Sequence, residues 1–400
     1  MRRDDGLEIR PARADEVDQI ATLLAARGEP ADAVDLRLVV ADPDEGLACV
    51  LVAVDDGRVV STATLLRETL VVEGTSLPAA QVELVATDPA YEGNGLVRSL
   101  MDLAHTQSRE RGDVVQVMIG IPFFYRQFGY SYSVRIPDTR ALASVPDRDP
   151  SIRVRVATSA DIDGMADLQH REQQPAPVSM PHSAGCWRWL VARDGSQQWV
   201  AERQGSIIAT GRATPPEEGL VLGEIAGDHA GVHALLGHAL TVGGDDVRVM
   251  DRPAARVHDV LDPLLTPEQL PDARGRWYYA RIERLAPLLE VLRPVIGRRW
   301  QAAGGGEHDV LISSYRSHVR FHLGADGMGE VNTGGALQAP VSAGGVGVPP
   351  DVLAPLVFGP YGALGLEQRH PDVILGRQRE AMSALFPPVQ ADLLTYYLPV

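Results

Sequence analysis

Lysine is absent from these 400 residues: the 37 basic side chains are all arginine, set against 53 carboxylates for a formal net charge of −16. That balance argues against a nucleic-acid surface and favours cationic partners such as amines, although acidity also serves solubility. Cysteine is nearly absent, and Cys49 and Cys186 lie far apart without metal-ligand spacing. A disulfide scaffold is thereby excluded, and two buried thiols in a reducing cytosol are expected. No apolar run approaches the roughly 18 residues of a membrane helix, and the opening MRRDDGLEIR has no apolar leader core. The expectation is a soluble, cytoplasmic chain with no membrane partner. Its length exceeds what one hydrophobic core normally supports, so two or three domains are expected.

What is present concentrates in residues 81–130. Val82–Ala86 is a short apolar run closed by Asp88-Pro89, which reads as a buried strand. The turn Tyr91-Glu92-Gly93-Asn94-Gly95 follows. Leu96, Val97, Leu100, Met101, Leu103 and Ala104 then recur at helical spacing until Gly112. Strand, glycine turn and helix together aim free backbone N–H groups and the positive end of a helix dipole at one spot, which suits a pyrophosphate. The next strand, Val114–Ile119, leads into the aromatic segment Phe123-Phe124-Tyr125-Arg126-Gln127-Phe128-Gly129-Tyr130.

This stretch resembles the acyl-CoA core of the GCN5-related N-acetyltransferases (GNATs), whose pyrophosphate loop follows Arg/Gln-x-x-Gly-x-Gly/Ala. The segment Tyr125–Tyr130 resembles the part that carries the catalytic tyrosine in acetyltransferases of the Eis (enhanced intracellular survival) type. Glu92 stands where the pattern has Arg or Gln, and Val97 where it has Gly or Ala. A carboxylate next to a pyrophosphate is repulsive unless it points away. The resemblance implies acetyl-CoA as donor, bound by Glu92, Gly93, Asn94, Gly95, Leu96, Val97 and Arg98. A backbone N–H of Val85, Ala86 or Thr87 would contact the oxyanion, and no metal is implied.

The rest of the chain has the matching order. Leu7–Arg10 reads as a strand, Asp15 as the cap of a helix with Ile20, Leu23 and Leu24 on one face, and residues 47–66 as a hairpin. RPARADEVDQIATL at 10–23 echoes RVATSADIDGMADL at 155–168, and AVDDGRVVST at 53–62 echoes AERQGSIIAT at 201–210, with Gly57 on Gly205. Two ordered matches at nearly one offset suggest a duplicated domain. The second copy has no Gly-x-Gly turn. Proline-punctuated stretches at 137–150 and 262–276 read as boundaries. Beyond them a strand at 277–282, a short helix at 287–292, more strands and two closing helices suggest an α+β unit. Its order resembles the sterol-carrier-protein-like domain of Eis-type enzymes. The expected fold class is mixed α/β and α+β: tandem GNAT-like domains at 1–140 and 151–285, and a sterol-carrier-like domain at 286–400. Family members of this layout are commonly hexamers, so a homo-oligomer is expected by resemblance.

Amine acylation needs a base, an oxyanion contact and an acid for the departing thiolate. Tyr125 is the candidate acid, because a phenol is a suitable donor to a thiolate. Two bases are open. By resemblance it is the chain's terminal carboxylate at Val400, at the end of an apolar tail (389–400) that should dock. Otherwise it is Glu83, expected by alternation on the face of Val85 and Thr87. His105 reads as a structural histidine; His229 and His233 lack the further ligands a metal would need. The acceptor is a small amine or a protein lysine. A carrier-protein or aminoacyl-tRNA donor, or a non-catalytic role in binding an apolar ligand, are the alternatives.

Overall fold

The computed structural model describes residues 3–28, 30–144, 146, 147, 149–215, 219–267, 276–394 and 396. Its first unit contains β1 (Glu8–Pro11), α1 (Val17–Arg27), α2 (Pro30–Ala41), β2 (Val50–Asp55), β3 (Arg58–Val72), β4 (Thr75–Thr87), α3 (Leu96–Arg111), β5 (Val115–Met118) and β6 (Ser131–Arg135). The apolar stripe of α1, Ile20, Ala21, Leu23 and Leu24, is buried as its spacing requires. Asp15 is not its cap. Glu16 takes that role, accepting the Arg13 N–H at 2.7 Å while Arg10 grips its carboxylate at 2.6 Å.

The second unit contains β7 (Thr139–Ala141), β8 (Arg153–Val156), α4 (Ile162–Gln173), β9 (Val178–Met180), α5 (Ala184–Ala192), β10 (Gln197–Arg203), β11 (Ser206–Ala213), β12 (Leu220–Gly227), α6 (His229–Gly243) and β13 (Val247–Met250), followed by the short α7 (His258–Leu261). Eight of these strands and helices (β8, α4, α5, β10, β11, β12, α6 and β13) repeat the order of β1 to β5 with their helices, and particular contacts repeat with them. Arg155 grips Asp161 at 2.7 Å as Arg10 grips Glu16. Thr210 donates to the Trp199 carbonyl at 3.0 Å as Thr62 donates to that of Leu51 at 3.1 Å. Asp228 N–H reaches the Ile208 carbonyl as Asp88 N–H reaches that of Val60, both at 2.9 Å. The tandem GNAT-like architecture therefore extends to single hydrogen bonds.

Three strands cross the boundaries expected from composition. β7 lies in the stretch 137–150 and pairs with β13 at the edge of the second sheet, whose order is β7-β13-β12-β11-β10-β8. β14 (Trp277–Arg281), expected to end the second unit, lies between β5 and β6 of the first sheet. β9 leaves its neighbours and pairs with β3 at Val72↔Val178. Proline punctuation marks turns, but backbone groups with no local partner pair wherever a free strand edge waits.

The last unit begins with α8 (Leu285–Ala302), far longer than the helix expected at 287–292. It runs through Pro294 because Leu288, Leu289, Leu292, Val295 and Ile296 bury one continuous face. β15 (His308–Ser313), β16 (His318–Gly324), β17 (Gly327–Met328), β18 (Asn332–Gly334) and β19 (Val346–Gly347) form a third sheet. α9 (Leu353–Phe358), α10 (Gly362–Arg369) and α11 (Arg379–Leu385) close it, making three helices where two were read. β20 (Ala391–Leu393) then returns to the first sheet, parallel to β9. Among the described residues no helix is long and apolar enough to cross a membrane.

Gly227, between β12 and α6, has φ +137° and no room for a side chain: a Cβ would lie 2.3 Å from the Ile208 carbonyl oxygen. Gly227→Ala should therefore lower unfolding free energy by about 2–4 kcal/mol in chemical denaturation.

Candidate active site

β4 makes the site by failing to stay straight. Leu84 has φ +51°, and the register against β3 slips from Thr64↔Glu83 to Thr62↔Ala86, leaving Leu84 and Val85 without opposite residues. This is a β-bulge, which bends a strand and re-aims its side chains. On its other side β4 pairs with β5 only at Ala79–Gln81, and β5 turns to β14 at Met118↔Tyr279. A wedge opens between β4 and the end of β5. The bulge also breaks the expected alternation: Val82 and Val85 pack in the cluster of Leu96 and Tyr125, while Leu84 and Ala86 pack with α1, α2 and Tyr396. Glu83 therefore does not share Val85's surroundings. It lies within electrostatic reach of Asp35 and Arg193 on the other side. Thr87 bonds Ser61 through their hydroxyls at 2.7 Å.

The loop above the wedge has the conformation its sequence dictates. Gly93 (φ +79°) and Gly95 (φ +72°) occupy the left-handed region, and no side chain caps α3 at Gly95. Glu92 is turned away and ion-paired to Arg27 at the end of α1. The pairing offsets part of its charge, as a surface ion pair can. Arg3 steadies the loop through the Asn94 carbonyl at 2.8 Å and Ser99 Oγ at 2.9 Å. Leu96 and Val97 face the Tyr125 cluster, and Arg98 lies over the Phe128 ring and donates to Gln127 at 2.9 Å. These residues fit an acyl-CoA pyrophosphate: a glycine cradle, an uncapped helix end and no carboxylate facing it.

Tyr125 sits at the mouth of the wedge on a 3-10 turn, Phe124–Phe128. Its ring lies so close to Gly120 that a Cβ there would come within 2.3 Å. Tyr279 of β14 fixes the approach to this turn: its hydroxyl donates to the Ile121 carbonyl at 3.2 Å and accepts from the Tyr132 hydroxyl at 2.9 Å. Behind it, His105 and Tyr130 bond each other at 3.2 Å, and burial drives His105 down to about 3, so it is a neutral, structural imidazole. Among the described residues the Tyr125 hydroxyl makes no hydrogen bond. Burial, then the nearby Glu83, push it up to about 12, so it holds its proton throughout the neutral range.

Glu83 is buried, accepts from Gln81 at 2.5 Å and is pushed up to about 8, chiefly by desolvation. Thr64 Oγ1 and Gln81 Oε1 beside it are buried without partners. Sequence reading missed its neighbours. Glu68, four residues beyond Glu83's partner Thr64 on β3, is also raised to about 8 by burial, and it accepts from the hydroxyl of Tyr396. Of the tail expected to dock, the described residues 389–394 and 396 are packed on the protein: Tyr396 lies against Trp189 (ring centroids 4.6 Å) beside His182. A lone Glu in the apolar run LLRETLVV was the available signal. Val400, the other candidate base, lies outside the described residues.

A group with metal-like spacing exists elsewhere. Asp251, His258 and Asp262 bring their ligand atoms within 4.8 Å of one another, but Arg140 Nη1 donates to both carboxylates at 2.7 and 2.8 Å. The guanidinium already supplies the positive charge there. His229 and His233 stack on α6 apart from this group.

A bulged strand, a splayed neighbour, a glycine loop and an aromatic turn are the marks of the GNAT fold. Residues 8–133 match the family model of the acetyltransferase (GNAT) domain. A protein of Streptomyces avermitilis named an uncharacterized N-acetyltransferase is 26% identical over 150 residues, 34% of this chain and 37% of the relative's length. The chain thus spans little more than a third of that relative. The GCN5-related N-acetyltransferase of Anabaena variabilis superposes with TM-score 0.72 at 13% identity, covering 98% of this chain and 100% of that one. Eis1 of Mycobacterium abscessus superposes with TM-score 0.66 at 17% identity, covering 98% and 100%. At these identities the structures establish the fold, and the domain match supports an N-acyltransferase enzyme.

Glu68 and Glu83 are raised above the unfolded value near 4.5, so between that value and about 8 the folded state binds more protons than the unfolded one. Stability should fall as pH rises through this window. Glu68→Gln should flatten that fall in denaturation series at pH 5, 7 and 9.

Proposed function

We propose that the chain transfers an acyl group, most simply acetyl from acetyl-CoA, to the amine of a small cationic acceptor or a protein lysine. One combination supports this reading: β4 and β5 part after Gln81↔Val117, Gly93 and Gly95 take left-handed torsions ahead of α3, and Tyr125 packs in one cluster with Val82, Val85 and Leu96. Bound there, a thioester would lie along Val82–Ala86, with backbone N–H groups at Val85–Thr87 facing its carbonyl oxygen. Glu83, or the terminal carboxylate at Val400, takes a proton from the ammonium. The amine nitrogen then bonds the carbonyl carbon, and collapse of the tetrahedral intermediate breaks the C–S bond while Tyr125 protonates the thiolate. The ion pair of Glu92 with Arg27 weakens the feature that had pointed away from free CoA.

The finer assignment is an Eis-type enzyme, supported by the Eis1 neighbour and by a docked tail reaching the first unit. On this reading residues 1–140 are the donor-binding domain, 151–285 the silent copy and 286–400 a sterol-carrier-like domain, with β14 and β20 crossing between them. The assembly is a cytoplasmic homo-oligomer.

Tyr125→Phe should lower kcat by about 10²–10⁴-fold while the donor Kd stays within twofold, read by steady-state kinetics and calorimetry. With Glu83 as base, kcat of the parent should rise with pH to a plateau above about 8; Glu83→Gln should abolish that rise. Arg27→Ala frees Glu92 and should weaken donor binding several-fold, and Arg27→Ala/Glu92→Gln should restore it.

A further inference from the structure

The second unit keeps the wedge but has filled it. Glu224 has φ +51°, the register against β11 slips between Thr210↔Ala226 and Arg212↔Gly223, and β12 pairs with β13 only up to Leu222↔Val249. Each of these features repeats the bulge and splay of the first unit. Here, however, Gln169 donates to the Glu224 carbonyl and Arg252 to that of Ile225 at 3.4 Å. The backbone acceptors along the bulge are satisfied by the protein's own side chains, and Asp228 caps α6.

Those side chains also grip the C-terminal segment. Arg252 forms a two-pronged pair with Asp392, Nε to Oδ1 at 2.8 Å and Nη2 to Oδ2 at 2.7 Å, with both side chains at most 1% exposed. Gln173 donates to the Asp392 carbonyl at 2.8 Å. The Tyr396 carbonyl accepts from Arg193 at 3.0 Å and Arg212 at 2.6 Å. Glu224, the bulge residue itself, anchors Arg212 at 2.6 Å and accepts from His182 at 3.1 Å. A buried ion pair contributes little net stability, because desolvating two charges offsets their attraction; its attested use is to specify one arrangement among several. Here the specified arrangement sets the Tyr396 hydroxyl on Glu68 next to Glu83.

We propose that the second unit is the receptor for the chain's own C-terminal segment. In this role Arg252 and Arg212 are positioning residues: Arg252 holds Asp392 and Arg212 holds the Tyr396 carbonyl, so that the segment seals the Glu68–Glu83 side of the first unit's cleft. The effect on turnover rests on the transferase reading; the docking does not. Undocking would admit water to Glu83 and move the rising limb of the pH–rate profile to lower pH.

Cys186 provides the readout, since it and Tyr396 line one small cavity and the thiol is buried. In the intact chain, below its unfolding transition, Asp392→Asn and Arg252→Gln should each raise the rate of Cys186 modification by a disulfide reagent about tenfold. Sites of labelling are assigned by mass spectrometry, with Cys49 as internal control. The double variant should be no more reactive than either single one. In the unaltered protein, amides 391–394 should exchange hydrogen as slowly as those of β9, a test independent of any variant's folding. Rapid exchange there, or Cys186 protection unchanged in both folded variants, overturns the proposal. In a turnover assay the pH midpoint should drop by about one unit with donor Kd unchanged, and an unmoved midpoint overturns the positioning role. If the parent protein transfers no acyl group, the transferase reading fails while the thiol and exchange results still decide the docking.

Discussion

A single residue of β4 in the left-handed region sets the shape of the first unit's candidate site. With Leu84 at φ +51°, the strand cannot continue its ladder with both neighbours, and the wedge beside β5 follows. Backbone groups that a regular sheet would pair are left for a ligand, at the place where the Gly93–Gly95 loop and the Tyr125 turn converge. Strain of this kind costs on the order of 1–3 kcal/mol and persists only where the surroundings over-determine it. The surroundings here are the buried faces of α1, α2 and α3 on either side of the strand.

The second unit carries the same strained backbone conformation at the matching place and puts it to other use. Leu84 in the first copy is apolar and sits in a core. Glu224 in the second is a carboxylate at the centre of a buried network. Burial works against its charge, but Arg212 and His182 hold it down to about 2. The duplication thus preserved a backbone device while its chemistry changed from an open wedge to a closed one.

What could be read from the residues was local. The strand, the glycine turn, α3 and the aromatic segment all announce themselves within 50 residues, because glycine torsions and helical periodicity are properties of neighbours in the chain. The duplicated start was legible for the same reason, down to Arg10 and Arg155. Long-range pairing was not. Nothing in Trp277–Arg281 says that it will slide between β5 and β6, yet Tyr279 from that strand fixes the turn bearing Tyr125. Arg252 and Asp392 are 140 positions apart, and only the folded chain brings them together. Glu92 looked like an obstacle because its partner, Arg27, lies on a different helix.

The central claim is that one wedge per chain accepts an acyl-CoA and the other is closed. Calorimetric titration of the purified protein with acetyl-CoA and with CoA tests it most directly. Micromolar binding with one site per chain is expected. No binding at millimolar donor, or two equivalent sites per chain, would contradict it.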